Sequence, residues 1–278
     1  MDSTSEAPID AASTDAAPIV ARLRAAGCVF AEDEARLIIA EARTPVELAD
    51  MVERRVTGVP LEAIVGWAEF GGLRILIEPG VFVPRHRTEF LVQWATELAR
   101  PGAIVLDLCC GSGALGVALA ASVHPIELHA ADIEPSAVRC ARRNVEPLRG
   151  TVYEGDLFDP LPDALRGRVE IMLANAPYVP TDAIGTMPPE ARDHEPHVTL
   201  NGGADGLDVQ RRVAASASEW LAPGGHVLVE VSERQAATSA AIFSRSGLTA
   251  NVVTSEEFDA TIVVATLAPA TGPANPAA

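Results

Sequence analysis

The chain has 278 residues, a net charge of −17, and 48% hydrophobic residues with 4% aromatic ones. All 21 of its basic residues are arginine, which excludes a P-loop lysine and a Schiff-base lysine. So acidic a chain argues against nucleic acid as a direct substrate, since duplex binding rests on displacing phosphate counterions, and it suits a basic protein partner.

Residues 1–17 are rich in Ala, Ser, Thr, Asp and Pro and lack periodicity, so they are expected to be disordered, as is the tail 269–278. The start is acidic and has no basic segment leading into an apolar one. No apolar run approaches the ~18 residues of a membrane span, so a cytoplasmic protein without a membrane contact is expected. Between 18 and 69, Ile19, Leu23 and Ala26, then Ala35, Ile38, Ile39 and Ala42, recur at helical spacing. Thr44-Pro45 opens a further helix, with Glu47 in its first turn and Leu48, Met51, Val52 and Val56 as its apolar stripe. This region is a small helical domain. It either holds itself together or docks a protein substrate.

The stretch GGLRILIEPGVFVP, within 70–85, alternates and breaks at Pro79-Gly80, which predicts a β-hairpin linking two domains. A domain spanning 86–268 follows, opening with a helix over Thr88–Leu98. Strands are expected at Ala103–Leu108, Glu127–Asp132, Thr151–Glu154, Val169–Leu173, His226–Val231, Thr249–Val253 and Thr261–Leu267. Helical stretches separate all but the last two. The pattern predicts an α/β, Rossmann-like sheet of seven strands, mostly parallel with an antiparallel pair at the end, binding ligand beyond the carboxyl ends of its strands.

The first of these strands runs into LDLCCGSGALG. Asp107 ends the strand, and Gly111 and Gly113 let the backbone turn sharply ahead of a helix whose free N–H groups suit an anion. Gly111 to Gly116 also fits a dinucleotide loop. An acid directly before such a loop would face pyrophosphate, whereas S-adenosylmethionine has no phosphate and carries a cationic amine and a sulfonium. Asp132 ends the next strand, at the place where an acid binds ribose hydroxyls, and Asp156 follows the third, where it can accept from an adenine amino group. Cys109, Ile133, Leu157 and Asn175 complete the candidate cofactor site. The four cysteines, Cys28, Cys109, Cys110 and Cys140, form no C-x-x-C pair, so zinc and a disulfide framework are not expected. His194-Glu195-Pro196-His197 has neither the helical spacing nor the two intervening residues of a zinc-protease motif, so no metal is expected there.

The fourth strand leads into Asn175-Ala176-Pro177-Tyr178. Here the chain resembles the HemK-type family of protein glutamine methyltransferases that act on peptide chain release factors, which carries Asn-Pro-Pro-Tyr at this place. The resemblance runs from about Arg54 to Leu267. It includes GVPLEAIVGWAEFGGL, EPGVFVPRHRTE, the loop after Asp107, GDLFDPL, HEPHVTLNGGADGLD and LAPGGHVLVEVSERQ. It implies the class I methyltransferase sheet, S-adenosylmethionine as cofactor, a release-factor glutamine as acceptor, and Asn175, Ala176, Pro177 and Tyr178 as the residues holding it. It also implies that Glu195-Pro196 and Pro84-Arg85 lie near the acceptor pocket. Three departures stand out: Cys109 replaces the family's first loop glycine, Ala176 replaces its first proline, and the helical region before Arg54 is shorter. Methylation of another amide or amino group, and cofactor binding without catalysis, remain alternatives at this level.

Overall fold

The computed structural model describes residues 14–187, 192 and 195–270. The stretches 1–13 and 271–278, and His194, lie outside the described residues.

Four helices open the chain: α1 (Ala17–Ala25), α2 (Ala31–Glu41), α3 (Pro45–Val56) and α4 (Leu61–Val65). Their apolar stripes meet in a core of their own, built on Leu23, Ala35, Ile38, Met51, Val52 and Ile64. The Thr44 side chain accepts the Glu47 N–H at 3.1 Å, capping α3 where the Thr-Pro pair predicted its start. Arg55 and Glu34, both largely buried, tie α3 to α2 at 2.6 Å.

The hairpin consists of β1 (Trp67–Phe70) and β2 (Leu73–Leu76), paired antiparallel. Its turn is therefore Gly71-Gly72, and Pro79-Gly80 forms a separate later bend. A two-residue hairpin turn of type I′ needs positive φ at both central positions, and the two glycines supply 58° and 71°. That requirement outweighed the Pro-Gly signal.

The second unit comprises α5 (Glu89–Leu98), β3 (Ile104–Leu108), α6 (Ala114–Ser122), β4 (Glu127–Asp132), α7 (Pro135–Val145), β5 (Thr151–Glu154) and β6 (Val169–Ala174). It continues with α8 (His197–Leu200), α9 (Asp208–Trp220), β7 (Leu221–Val231), α10 (Glu233–Arg245), β8 (Thr249–Ser255) and β9 (Ala260–Thr266). The seven strands run in the order β5-β4-β3-β6-β7-β9-β8. Pairing is parallel from β5 to β7 and antiparallel at β7–β9 and β9–β8, as the helix-free succession of the last two strands predicted. β7 starts at Leu221, earlier than the expected His226, because Leu221 already pairs with Val169. All five residues of β3 are buried, since α5–α7 cover one face and α9–α10 the other.

Asn144 on α7 fastens the hairpin to this unit. Its Oδ1 accepts the Leu76 N–H at 2.9 Å, and its Nδ2 donates to the carbonyls of Leu76 and Ser112, each at 2.9 Å. The end of β2 and the turn after β3 thus share one side chain. Replacing Asn144 with Ala leaves both Leu76 backbone groups without this partner. The substitution is expected to lower stability by about 1–2 kcal/mol, read from the midpoint of urea unfolding.

Candidate active site

Strand β3 pairs with β4 on one side and β6 on the other, so the loops leaving β3 and β6 part above the sheet. Between them lies a cleft of about 220 Å³. Cys109, Gly111, Asp132, Ile133, Asp156 and Leu157 line one end, and Asn175, Ala176, Pro177 and Tyr178 line the other. Phe82, Arg85 and Arg87 from the segment after the hairpin, with Glu195 and Leu200, close the far side.

Two of the residues expected at the cofactor end stand behind this wall. Asp107 is 1% exposed. Its Oδ2 accepts the Gly116 N–H at 3.0 Å, and its Oδ1 has no hydrogen-bond partner among the described residues. Burial pushes this carboxyl up to about 8; the Gly116 N–H pulls it down and the charge of Asp132 adds to the rise. Gly113 precedes α6 with φ 78°, and a Cβ there would come within 3.2 Å of Val145. Its role is packing of α6 against α7.

Asp132 both lines the cleft and shapes it. Its Oδ2 accepts the Gly111 N–H at 2.8 Å and its Oδ1 accepts the Glu134 N–H at 2.9 Å. Burial raises its carboxyl, and these two N–H groups oppose the rise. Asp156 is held by Arg212 of α9 at 2.7 Å. Ile133 is 49% exposed at the rim. Cys109 adopts φ 54°, a left-handed conformation that suits the glycine it replaces. Burial and the carboxylates of Asp132, Asp107 and Asp156 push its thiol well above the usual cysteine range.

At the other end, Asn175 donates through Nδ2 to Thr88 Oγ1 at 3.4 Å, which turns its Oδ1 away from Thr88. Ala176 is buried at 1% exposure. The Tyr178 hydroxyl donates to Glu230 Oε1 at 2.9 Å and accepts from Arg87 Nη2 at 2.6 Å. Arg87 Nε also reaches Glu230 Oε1, at 3.0 Å. The Tyr178 hydroxyl is raised above its usual range by burial and by the charge of Glu230, against the pull of Arg87. The Tyr178 carbonyl accepts from Gln235 Nε2 at 2.8 Å, which pins the loop to α10. Arg85 pairs with Glu195, 110 residues away, drawing together the two segments expected beside the acceptor pocket.

Thr88, Arg212 and Glu230 were not anticipated. Glu230 carries the same signal as the three aspartates, an acid at the carboxyl end of a parallel strand, and could have been found by extending that rule to β7. Arg212 stands on a helix face with no motif around it.

The model of the Methyltransferase small domain family matches residues 72–187. The release factor glutamine methyltransferase of Geobacter sulfurreducens is 41% identical over 208 residues, which covers 73% of this chain and 72% of that protein. The 4-amino-L-phenylalanine/4-methylamino-L-phenylalanine methyltransferase of Streptomyces pristinaespiralis is 35% identical over 243 residues, covering 84% and 82%. Among solved structures, a methyltransferase from Pyrococcus furiosus superposes with a TM-score of 0.54 at 15% identity, over 79% of this chain and 99% of that one. That likeness shows the fold.

Because the folded carboxyl of Asp107 titrates near 8 and an unfolded aspartate near ~4, the folded state holds the extra proton between those values. Its contribution to stability is complete below pH ~4 and is lost as pH rises through about 8. Asp107→Asn is therefore expected to match the unaltered protein at acidic pH and to melt higher at pH 9, when both are heated without cofactor. Cys109→Gly is expected to raise stability by up to about 1 kcal/mol in the same experiment, since relief of left-handed strain exceeds the entropy glycine adds to the unfolded chain.

Proposed function

Since the chain belongs to the release factor glutamine methyltransferase family, we propose that it methylates the side-chain amide nitrogen of a protein glutamine, with a peptide chain release factor as the protein. The observation that carries this reading is the pairing, across one cleft, of the acid-lined turns after β3–β5 with the Asn175–Tyr178 loop after β6.

The cleft suits S-adenosylmethionine. Asp107 stands behind the cleft wall with its Oδ1 buried and without a partner among the described residues, so a cation in the cleft would favour its charged form through the turn. Asp132 keeps lone pairs beyond its two backbone bonds for ribose hydroxyls. Asp156 can accept from an adenine amino group, with Leu157 and Ile133 as apolar walls. Cys109 and Gly111 supply the turn along which the methionine part would lie. When bound, S-adenosylmethionine supplies an electrophilic methyl group on a cationic sulfur.

The rest falls to this chain's own residues. An amide nitrogen is a weak nucleophile because its lone pair is shared with the carbonyl. Asn175 Oδ1 accepts one N–H and the Ala176 carbonyl accepts the other, so the pair selects a primary amide and increases electron density on the nitrogen. Tyr178 packs on the flat amide and fixes its plane. Pro177 stiffens the turn. Holding the nitrogen in line in this way is worth roughly 7–11 kcal/mol in favourable cases. The nitrogen gives up its proton after the new bond forms, so no strong base is required in the cleft.

A second reading draws on the relative named for 4-amino-L-phenylalanine: the acceptor is the amine of a small aromatic molecule. Incubating the chain with a labelled methyl donor and, separately, a purified release factor or 4-aminophenylalanine separates the two, with mass spectrometry locating the label. Label on a release-factor glutamine is the expected result. Label on the arylamine alone selects the second reading. Asn175→Ala is expected to reduce turnover on the order of 100-fold while calorimetric affinity for the cofactor stays within about twofold. Equal loss of both would remove Asn175 from the acceptor role.

A further inference from the structure

Resting on that reading, we infer that Arg87 and Glu230 are positioning residues that set acceptor specificity by clamping Tyr178 as a fixed partition between the cleft and a second cavity. This second cavity, about 460 Å³, lies on the other side of the tyrosine. Its walls include Glu230, Ser232, Thr254 and Asp259, and it shares Arg87 and Tyr178 with the cleft. A side chain lining two cavities is a wall between them. Here the wall is one aromatic ring and the guanidinium that holds it.

The ring is held at its tip from two separate elements. Arg87 comes from the segment entering α5, and Glu230 from the carboxyl end of β7. The tyrosine hydroxyl uses its proton on Glu230 and takes one from Arg87, while Arg87 and Glu230 bond each other directly. The Glu230 side chain is 3% exposed, and its Oε2 has no hydrogen-bond partner among the described residues. A buried carboxylate with one oxygen unserved depends on the Arg87 charge beside it, so the three groups stand or fall together. Without the clamp, the ring has open volume behind it and can turn into the second cavity. The acceptor end of the cleft then widens. A flat primary amide loses the surface that fixes its plane, and a bulkier arylamine gains room.

Two variants loosen the clamp from different sides: Tyr178→Phe removes the hydroxyl and keeps the ring, and Arg87→Met removes the guanidinium. Each is compared with the unaltered chain on a glutamine-bearing release factor and on 4-aminophenylalanine. Cofactor affinity is read by calorimetry. The chain has two tyrosines, so ring-labelled tyrosine gives a direct NMR view of Tyr178 in Arg87→Met. The expected result is a kcat for glutamine lowered about tenfold with acceptor KM and cofactor affinity nearly unchanged, and an arylamine-to-glutamine ratio raised at least about fivefold. The Tyr178 signal is expected to shift and to show faster ring flipping. An unchanged ratio in both variants overturns the inference, as does a parallel fall in both activities, which is the mark of general damage. No glutamine methylation by the unaltered chain overturns the functional reading and this inference with it, whereas methylation that neither variant alters overturns the inference alone.

Discussion

Parallel pairing of β3 with β4 on one side and β6 on the other is the constraint on which everything else depends. Successive parallel strands begin again at the same edge of the sheet, so their carboxyl ends gather at the opposite edge. Asp107, Asp132 and Asp156 are 25 and 24 residues apart along the chain, yet they finish on that one rim because β3, β4 and β5 lie side by side. The loop after β6 leaves in the other direction, since its strand sits on the far side of β3. The cleft is the gap this reversal opens. No side chain has to create it; the side chains decide what enters.

Much of that plan is legible in the sequence, and the reasons are local. Short runs such as Ile104–Leu108 and Glu127–Asp132 are bounded by turn residues and separated by helical patterns, so strand positions follow from composition and length. The hairpin is displaced from its expected place because two competing turn signals, Gly-Gly and Pro-Gly, stand eight residues apart, and strand register decides between them. Site residues divide in the same way. Asp132, Asp156 and the Asn175–Tyr178 loop are announced by their place at strand ends. Whether such an acid faces the ligand or the helix behind it depends on the last turn of backbone, and Asp107 faces Gly116. Partners at long separation are invisible locally: Arg87 and Glu230 are 143 residues apart, and no motif joins them.

The segment from Pro84 to Thr88 makes three grips on the acceptor side within a few residues. Arg85 takes Glu195, Arg87 takes Tyr178 and Glu230, and Thr88 takes Asn175. The same segment descends from the hairpin, whose end is fastened to the cofactor turn by Asn144. The connection between the helical unit and the sheet is therefore part of the cleft itself. Pro79 and Pro84 limit how far this connection can be remodelled without moving the acceptor loop.

Cys109 and Cys110 put two adjacent sulfur atoms at the turn of the cofactor end, a position that would ordinarily invite oxidation or alkylation. Both reactions proceed through the thiolate. Burial above all, with the nearby carboxyl groups adding to it, pushes both thiols far above the ordinary range, so the reactive form is suppressed chiefly by the packing of the turn. Packing thus acts as chemical insulation, allowing cysteine to stand in for glycine with its thiol held in the protonated form.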